Sequence, residues 1–342
     1  MNIQLALTGD LLVREPIIQS ARLEDKDAYS FHALLAPIVP YLQQADLTIA
    51  NLEVTLAGRE EHYLRRNPAN RYPQFNCPDE LASALRKAGL HVLTTANNHC
   101  LDRGVSGLRR TLRVLDKHGI KHTGTNAKRH PSGGGGPVIV TVKGIRIGIL
   151  SYTRGTNSIA CPYPWMVNRM NLQHIRRDLY ALRRKADFCI VALHHGPEYS
   201  HIPTQGQRRW ARKLMKWGAD LVLGSHPHVV QPVVWNSNGK LAVYSLGSLI
   251  SSRLKKNPHT MAGVILLVQL QQIKDGRVVI KQVKPVPTWV HKSSSGEAKR
   301  YQVLPLEDAL QDENDAFEPE ERKLMEHILD TTLSIIGPRS SL

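Results

Sequence analysis

The chain has 342 residues, of which 42% are hydrophobic, so it is long enough for one large domain or two small ones. Lysine and arginine outnumber aspartate and glutamate by 45 to 29, and the net charge of +16 favours anionic partners such as phosphate esters, an acidic polymer or nucleic acid. No apolar run reaches about 18 residues and no signal-peptide pattern opens the chain, so we expect no membrane span and a cytoplasmic location.

The first half of the chain alternates short apolar runs with helical patterns. Polar side chains follow three of these runs: residues 3–7 lead to Asp10, residues 47–50 lead to Glu53, and residues 91–95 lead to Asn98 and His99. Between the runs, apolar spacing predicts a helix over residues 27–45 that its prolines interrupt, and another from Pro78 to Gly89. A third helix is expected to end at Gly119.

The second half begins with a predicted hairpin over residues 137–152 that turns at Lys143-Gly144. Two arginine-rich helices, expected over residues 171–185 and 206–217, then alternate with two buried strands. Polar side chains also follow these strands: residues 188–193 lead to His194, His195 and Glu198, and residues 220–224 lead to His226 and His228. Three consecutive strands, expected over residues 241–246, 262–269 and 278–283, and a final helix from Pro319 to Gly337 complete the pattern.

Strand–helix–strand units followed by consecutive strands favour two stacked sheets with helices on both outer faces. We therefore predict a four-layer α/β/β/α sandwich. We expect one catalytic domain over residues 1–290 and a C-terminal extension with a helix over residues 291–342.

The polar side chains at these strand ends indicate a metal centre. Ligands of α/β proteins bind at the carboxyl ends of buried strands, and five ends here deliver Asp, Glu, Asn and His. Mixed oxygen and nitrogen ligands suit Zn, Mn or Fe rather than a structural thiolate zinc. Taken alone, His226 and His228 are more often two surface histidines beside a turn proline, but the joint pattern favours a metal site.

The order of the polar blocks resembles one protein family. The blocks are Gly-Asp, Asn-Leu-Glu, Ala-Asn-Asn-His, His-His-Gly-x-Glu, Gly-x-His-Pro-His-Val-x-Gln-Pro and Tyr-Ser-Leu-Gly. They resemble the CapA family, which is named for poly-γ-glutamate capsule synthesis and belongs to the calcineurin-like metallophosphoesterase superfamily. The resemblance runs from about residue 2 to about residue 290, and it implies the sandwich fold of that superfamily.

The resemblance also implies a role for each block. It makes Asp10, Asn98, His194, His226 and His228 ligands of two divalent metal ions, with Glu53 as the bridging carboxylate. His99 is implied to be the general acid near the leaving oxygen rather than a ligand. Asp102, Arg154, His195 and Glu198 are expected to support the ligands or to contact substrate.

Two positions depart from the superfamily pattern. The first motif is normally Asp-x-His, but Asp10 is followed by Leu11 and Leu12, so one metal site lacks a nitrogen ligand. Ser248 stands where the family usually has asparagine after Ser-Leu-Gly. The missing histidine puts full occupancy of a two-metal site in question, and Ser248 would do less than an asparagine to orient the site.

These residues favour a metal-dependent hydrolase of phosphate esters or related anionic substrates. The alternative is a capsule or polymer-assembly factor that binds an acidic polymer through the same site with little hydrolysis. Nucleic acid is disfavoured as a partner, because the chain has no recognition motif and only 6% aromatic residues for base stacking. No pattern in the sequence indicates an oligomeric state.

Overall fold

The computed structural model describes residues 2–24, 28–129, 136–293, 300–312, 317–337 and 340–341. Within these ranges the strands are β1 (Asn2–Leu11), β2 (Leu47–Leu52), β3 (Leu64–Arg66), β4 (Pro73–Phe75), β5 (Val92–Thr94), β6 (Lys121–Thr123), β7 (Val138–Val142), β8 (Ile145–Thr153), β9 (Phe188–His194), β10 (Leu221–Ser225), β11 (Val230–Trp235), β12 (Leu241–Leu246), β13 (Ser248–Ile250), β14 (Ala262–Gln272), β15 (Val278–Ser293), β16 (Arg300–Pro305) and β17 (Ser340–Ser341).

The α-helices of the described residues are α1 (Glu15–Ser20), α2 (His32–Leu35), α3 (Val39–Gln43), α4 (Glu80–Ala88), α5 (Gly104–Lys117), α6 (Leu172–Arg183), α7 (Gln205–Trp217), α8 (Leu306–Gln311) and α9 (Pro319–Ile336). Two short 3₁₀ helices cover Ala36–Ile38 and Pro258–Met261.

Two large sheets form the centre of the protein. The first has the strand order β16-β15-β14-β1-β2-β5-β6, with β13 also paired to β1, and the second has the order β17-β11-β12-β10-β9-β8-β7. In the first sheet β1, β2, β5 and β6 are parallel, and in the second β8, β9, β10 and β12 are parallel. Parallel neighbours end at the same edge, so each sheet collects the carboxyl ends of several strands on one side.

Side-chain alternation along the strands divides the core into layers. Ile3, Leu5 and Leu7 of β1 pack between the two sheets, where they join Ile147 of β8 and Ile190 of β9. The outer face of the first sheet packs against α1 to α4, α8 and part of α9, and the outer face of the second packs against α6 and α7. The predicted four-layer α/β/β/α sandwich is confirmed.

The prolines of the predicted helix over residues 27–45 divide it into α2, the turn Ala36–Ile38 and α3, while residue 27 lies outside the described residues. The strand expected over residues 278–283 instead continues to Ser293. Pro285 and Pro287 interrupt the sequence pattern but not β15. The pairing of β15 with β16 begins only at Thr288. On that side of β15, no neighbouring strand needs a backbone hydrogen bond from Pro285 or Pro287.

The domain boundary near residue 290 stays a prediction. β15 crosses that position, and β16 pairs with β15 in the first sheet. From the following segment, Met325 and Ile328 of α9 are buried in the outer core of the first sheet. The described residues after 290 therefore contribute to the same sheet and core as the residues before it.

Backbone packing at the end of β10 requires glycine at position 224. A Cβ atom there would collide with the carbonyl oxygen of Tyr244 on the neighbouring strand β12. By contrast, Gly206 lies in the first turn of α7, where the nearest atom to an added Cβ, the Thr204 Oγ1, is 3.6 Å away. The two glycines thus form a matched pair for substitution.

We expect Gly224→Ala to lower the free energy of unfolding by about 1–3 kcal/mol, because the two strands must separate to admit the methyl group. Gly206→Ala should be neutral or should raise it by about 0.5–1 kcal/mol, because alanine restricts the unfolded chain and suits a helix. Urea denaturation of both variants measures the difference. Equal stability of the two variants would contradict the close approach of β10 to β12.

Candidate metal centre

Six side chains predicted as ligands come from the carboxyl ends of strands in both sheets. Asp10 lies near the end of β1, Glu53 directly follows β2, and Asn98 follows β5. From the second sheet, His194 is the last residue of β9, and His226 and His228 lie in the turn between β10 and β11. The two sheets therefore supply three of the predicted ligands each.

Short distances bring the six side chains together. His194 Nε2 lies 2.7 Å from Asn98 Oδ1 and 3.3 Å from Glu53 Oε1. His228 Nδ1 lies 3.2 Å from Asp10 Oδ2, and its Nε2 lies 3.8 Å from Glu53 Oε1. The ring of His226 is 4.7 Å from the ring of His194 and 6.0 Å from that of His228, measured between centroids.

Three overlapping groups of side chains have ligand atoms spaced closely enough to hold an ion. Within each group the atoms lie within 4.8 Å of one another, and the groups are Asp10, Glu53 and His228; Glu53, His194 and His226; and Glu198, His226 and His228. Glu53 belongs to two of them. His226 and His228 also belong to two groups each, so Glu53 is the carboxylate common to two overlapping groups.

Glu53 supplies the test of whether these residues fit a metal. Its carboxylate is fully buried, and neither oxygen has a hydrogen-bond partner among the described residues. Burial, and next the negative charge of Asp10, raise the pKa of Glu53 well above its usual value. A buried carboxylate without donors is costly unless it is protonated or bound to a cation, so the residues present fit a divalent metal.

The same environment shifts the pKa values of Asp10 and of the histidines in different directions. Burial alone would raise the pKa of Asp10, but the hydrogen bond and charge of His228 lower it. Burial lowers the pKa of His194 to about 3 and that of His226 well below 6.5. Burial opposes the charge of His228 too, but Glu53 and Asp10 outweigh it and raise the pKa of His228 to about 9.

The turn that carries His226 and His228 has an unusual backbone. Both residues have positive φ, 99° for His226 and 57° for His228, with Pro227 between them. Such conformations cost about 1–3 kcal/mol for residues with a side chain and are concentrated at functional sites. The amide of His226 donates to Asp10 Oδ2 over 3.2 Å, which fixes the turn to the end of β1.

Two further residues, to which the sequence patterns assigned no role, hold the predicted ligands in place. Asn51 donates to Asp10 Oδ1 over 2.8 Å and lies 3.3 Å from His194 Nδ1. Ser225 Oγ lies 2.9 Å from the same Nδ1, an outer contact of the kind that leaves the other ring nitrogen to bind a metal. Both residues belong to recognised sequence blocks, Asn-Leu-Glu and Gly-x-His, and membership in these blocks could have identified them as part of the site.

His99 lies apart from the ligand groups and is paired with Asp102. Its Nδ1 is 2.6 Å from Asp102 Oδ2, which also accepts the amide of Phe75. The rings of Phe75 and Tyr72 lie against His99, with centroids 4.7 and 6.1 Å away. Burial opposes protonation, but the charge of Asp102 and its hydrogen bond raise the pKa of His99.

The remaining predicted residues lie around the ligands. Arg154 is exposed at the wall of the cleft, and His195 is half-buried beside it. Burial lowers the pKa of His195 to about 4, with smaller effects of His194 and Arg154. Glu198 accepts a 2.8 Å hydrogen bond from the Tyr72 hydroxyl and lies close enough to His226 and His228 to be a ligand itself.

The two positions that depart from the superfamily pattern are both buried. Leu12 packs in the outer core of the first sheet, 2% exposed. Ser248 pairs with Asp10 across β13 and β1, and its hydroxyl has no hydrogen-bond partner among the described residues. Neither residue supplies a nitrogen or an amide to the cleft.

The ligand groups open into a cleft of ≈ 840 Å³. Its walls include Asn98, His194 and His226 together with residues 153–161, Pro164 and Arg169. The volume lies in the range of sites for small organic ligands. The cleft is therefore large enough for a substrate that extends well beyond a phosphate group.

We expect metal binding to release protons. The pKa of His228 is about 9 and that of Glu53 is raised, so at pH 7 the metal-free protein retains a proton that a metal must displace. Mn²⁺ titration by calorimetry in two buffers of different ionisation enthalpy should show release of about one proton at pH 7, with affinity falling as the pH falls.

The His226→Ala variant provides the control. Because its pKa is lowered, His226 is already neutral at pH 7, so its removal should weaken binding while proton release stays nearly the same. Binding at pH 7 without proton release would show that His228 and Glu53 are already deprotonated.

Among the described residues, no helix combines the length and the apolar character needed to cross a membrane. The chain matches the sequence model described as "Bacterial capsule synthesis protein PGA_cap" over residues 4–253. It is 26% identical to "PGA biosynthesis protein CapA" of Bacillus subtilis (strain 168) over 312 residues, which cover 88% of this chain and 76% of that protein.

It is also 25% identical to "Capsule biosynthesis protein CapA" of Bacillus anthracis over 257 residues, 73% of this chain, and the match spans only 60% of that relative's length. Its structure is similar to that of a calcineurin-like phosphoesterase from Bacillus subtilis, with a TM-score of 0.51 and 12% identity over 97% of this chain and 98% of the other. At that identity the likeness is one of fold.

Proposed function

The chain belongs to the bacterial capsule synthesis family PGA_cap, and we propose that it is a metal-dependent hydrolase of phosphate esters or related anionic substrates. One observation carries the proposal: the unpartnered, fully buried carboxylate of Glu53, from the first sheet, lies beside His194 and His228 of the second sheet, and His194 lines an open cleft. A purely structural core would leave no such group without a donor.

In this proposal the six predicted ligands hold two divalent ions, Mn, Zn or Fe, with Glu53 shared between them. Such ions, when bound, supply an acidified water and neutralise the charge of a phosphate group. Glu198 stands beside His226 and His228, so its carboxylate would take the place of the nitrogen ligand that Leu12 cannot provide. Asn51 and Ser225 orient Asp10 and His194 by hydrogen bonds.

The wall of the cleft carries arginine side chains that can bind an anionic substrate. Arg154 and Arg169 are exposed there, and Arg169 donates to the Thr156 hydroxyl over 3.0 Å, which holds its guanidinium beside the cleft. Arginine pairs with phosphate and carboxylate groups through two parallel hydrogen bonds. These side chains would bind an anionic group of the substrate.

His99 serves as the general acid. Asp102 accepts from Nδ1, which fixes the ring and favours its protonated form, and a protonated imidazole can give its proton to a leaving oxygen. The rings of Phe75 and Tyr72 exclude water from its faces. Asp102 therefore acts on His99 rather than on the metal.

A second function is favoured by the open cleft and the basic chain. The relatives are named for capsule and PGA biosynthesis, not for hydrolysis, and a net charge of +16 attracts an acidic polymer. In this alternative the same metal centre binds such a polymer and assists its assembly, with little turnover.

Elemental analysis combined with a phosphoester panel separates the two functions. A hydrolase should contain up to two metal equivalents and should turn over bis-p-nitrophenyl phosphate or p-nitrophenyl phosphate with Mn²⁺. Glu53→Gln should lose metal and activity together, since it removes the shared carboxylate. Metal content without turnover, together with metal-dependent binding of polyglutamate, would favour the assembly factor, and protein without metal would refute both.

We expect His99→Ala and His226→Ala to lose activity for different reasons. His226→Ala should lower metal content, because a ligand nitrogen is lost. His99→Ala should keep its metal but slow hydrolysis by about 10²–10⁴-fold, the usual contribution of a general acid. Metal content and kcat of the two purified variants measure this difference.

The leaving group provides the internal control. p-Nitrophenolate needs little protonation, so the loss in His99→Ala should be smaller for p-nitrophenyl esters than for alkyl phosphates. If His99→Ala loses metal in proportion to His226→Ala, then His99 is a ligand and the assigned role is wrong.

A further inference from the structure

One side chain of the cleft wall, Asn157, is hydrogen-bonded to a predicted metal ligand. Asn157 lies in the segment that follows β8 of the second sheet, whereas the ligand, Asn98, follows β5 of the first sheet. Asn98 Nδ2 donates to Asn157 Oδ1 over 3.2 Å, and Asn98 Oδ1 lies 2.7 Å from His194 Nε2. The Asn98 amide is therefore held between the cleft wall and another predicted ligand.

The bond to Asn157 decides which end of the Asn98 amide faces the ligand group. A side-chain amide has an acceptor oxygen at one end and a donor nitrogen at the other, and cations are bound by the oxygen. Because Asn157 offers its own oxygen, it pairs with the nitrogen end of Asn98. The oxygen end of Asn98 then points toward His194, where the two side chains can bind the same ion.

The conformation and burial of Asn157 are costly to the fold. Its φ is 50° and that of Ser158 is 63°, a left-handed backbone that is unfavourable for residues with a side chain and is concentrated at functional sites. Asn157 Nδ2 is also buried, with no hydrogen-bond partner among the described residues. An unpaired buried donor destabilises a fold. Neither feature is expected of an asparagine that only stabilises a turn.

Other contacts hold this turn without the Asn157 side chain. Thr156 Oγ1 donates to the Ile159 carbonyl oxygen over 2.8 Å, and the Ile159 amide donates to the Thr156 carbonyl oxygen over 2.8 Å. Arg169 donates to Thr156 Oγ1, and Asn70 Nδ2 donates to the backbone carbonyl of Asn157 over 3.3 Å. The turn should therefore keep its shape when the Asn157 side chain is removed.

We propose that Asn157 is a positioning residue of the metal centre. It fixes the Asn98 amide in the orientation that presents the oxygen to an ion, and it thereby links the cleft wall to the ligands. The inference rests on the metal-dependent function proposed above, and it gives the left-handed backbone and the unpaired donor of Asn157 a purpose: both are costs of placing its oxygen against Asn98.

The test compares glycine variants of two neighbouring residues. Glycine suits the positive φ of both positions, so both variants should fold. The affinity of Asn157→Gly for Mn²⁺, measured by calorimetry on the full chain, should fall by about 10–100-fold, the usual effect of losing a partner of a ligand. Its thermal midpoint should be equal to that of the wild type or higher, because backbone strain and an unpaired donor are removed. Ser158→Gly, at an exposed residue, is the matched control and should bind Mn²⁺ as the wild type does.

A conservative variant and a double variant show that Asn157 acts through Asn98. Asn157→Asp keeps an acceptor oxygen and should bind Mn²⁺ far more tightly than Asn157→Gly. In an Asn98→Ala background, Asn157→Gly should have no further effect on affinity, because the side chain on which it acts is gone.

Three results would overturn the inference while leaving the metal centre in place. They are equal Mn²⁺ affinity of the wild type and Asn157→Gly, an equal loss from Asn157→Gly with and without the Asn98 side chain, and a lowered thermal midpoint in Asn157→Gly that accompanies the lowered affinity. The last result would show that Asn157 stabilises the fold instead. A wild-type protein that binds no Mn²⁺ would refute the proposed function itself, and this inference with it.

Discussion

Two carboxylates buried without enough donors are the constraint on which the rest of the site depends. Asp10 and Glu53 are both fully buried, and hydrogen bonds reach only Asp10. Two negative charges in a low-dielectric interior repel each other strongly, so burial and the charge of Asp10 raise the pKa of Glu53, and the two carboxylates raise the pKa of His228. A proton and a cation would therefore compete to neutralise the same buried charge.

The two-sheet architecture makes this concentration of charge possible. Each sheet ends its parallel strands at one edge, and the apolar layer between the sheets fixes how the two edges face each other. Glu53 comes from the first sheet and His194 from the second, so their 3.3 Å contact depends on the packing of side chains such as Leu7 and Ile190 far below it. A change in the packing between the sheets would therefore also change the geometry of the site.

Much of this arrangement could be predicted because its signals are local. A strand end followed by Asp, Asn-x-Glu or His-x-His is visible within a few residues, and such ends must share one edge of a sheet. Asn51 and Ser225 belong to recognised blocks, but their hydrogen bonds, like the closeness of Glu198 to His226, were not predictable because each joins residues far apart in the chain. The length of β15 was underestimated for a similar reason. Whether a strand tolerates a proline depends on where the neighbouring strand begins to pair with it.

The left-handed backbone of His226 and His228 has a consequence for how the centre meets its ligands. Pro227 fixes one torsion between them, and the positive φ of both histidines is settled when the protein folds. The backbone that carries both imidazoles therefore does not have to be ordered when an ion or a substrate arrives, and that part of the entropic cost is absent from the binding step. An ion that fits this fixed turn would be favoured over one that requires the turn to move.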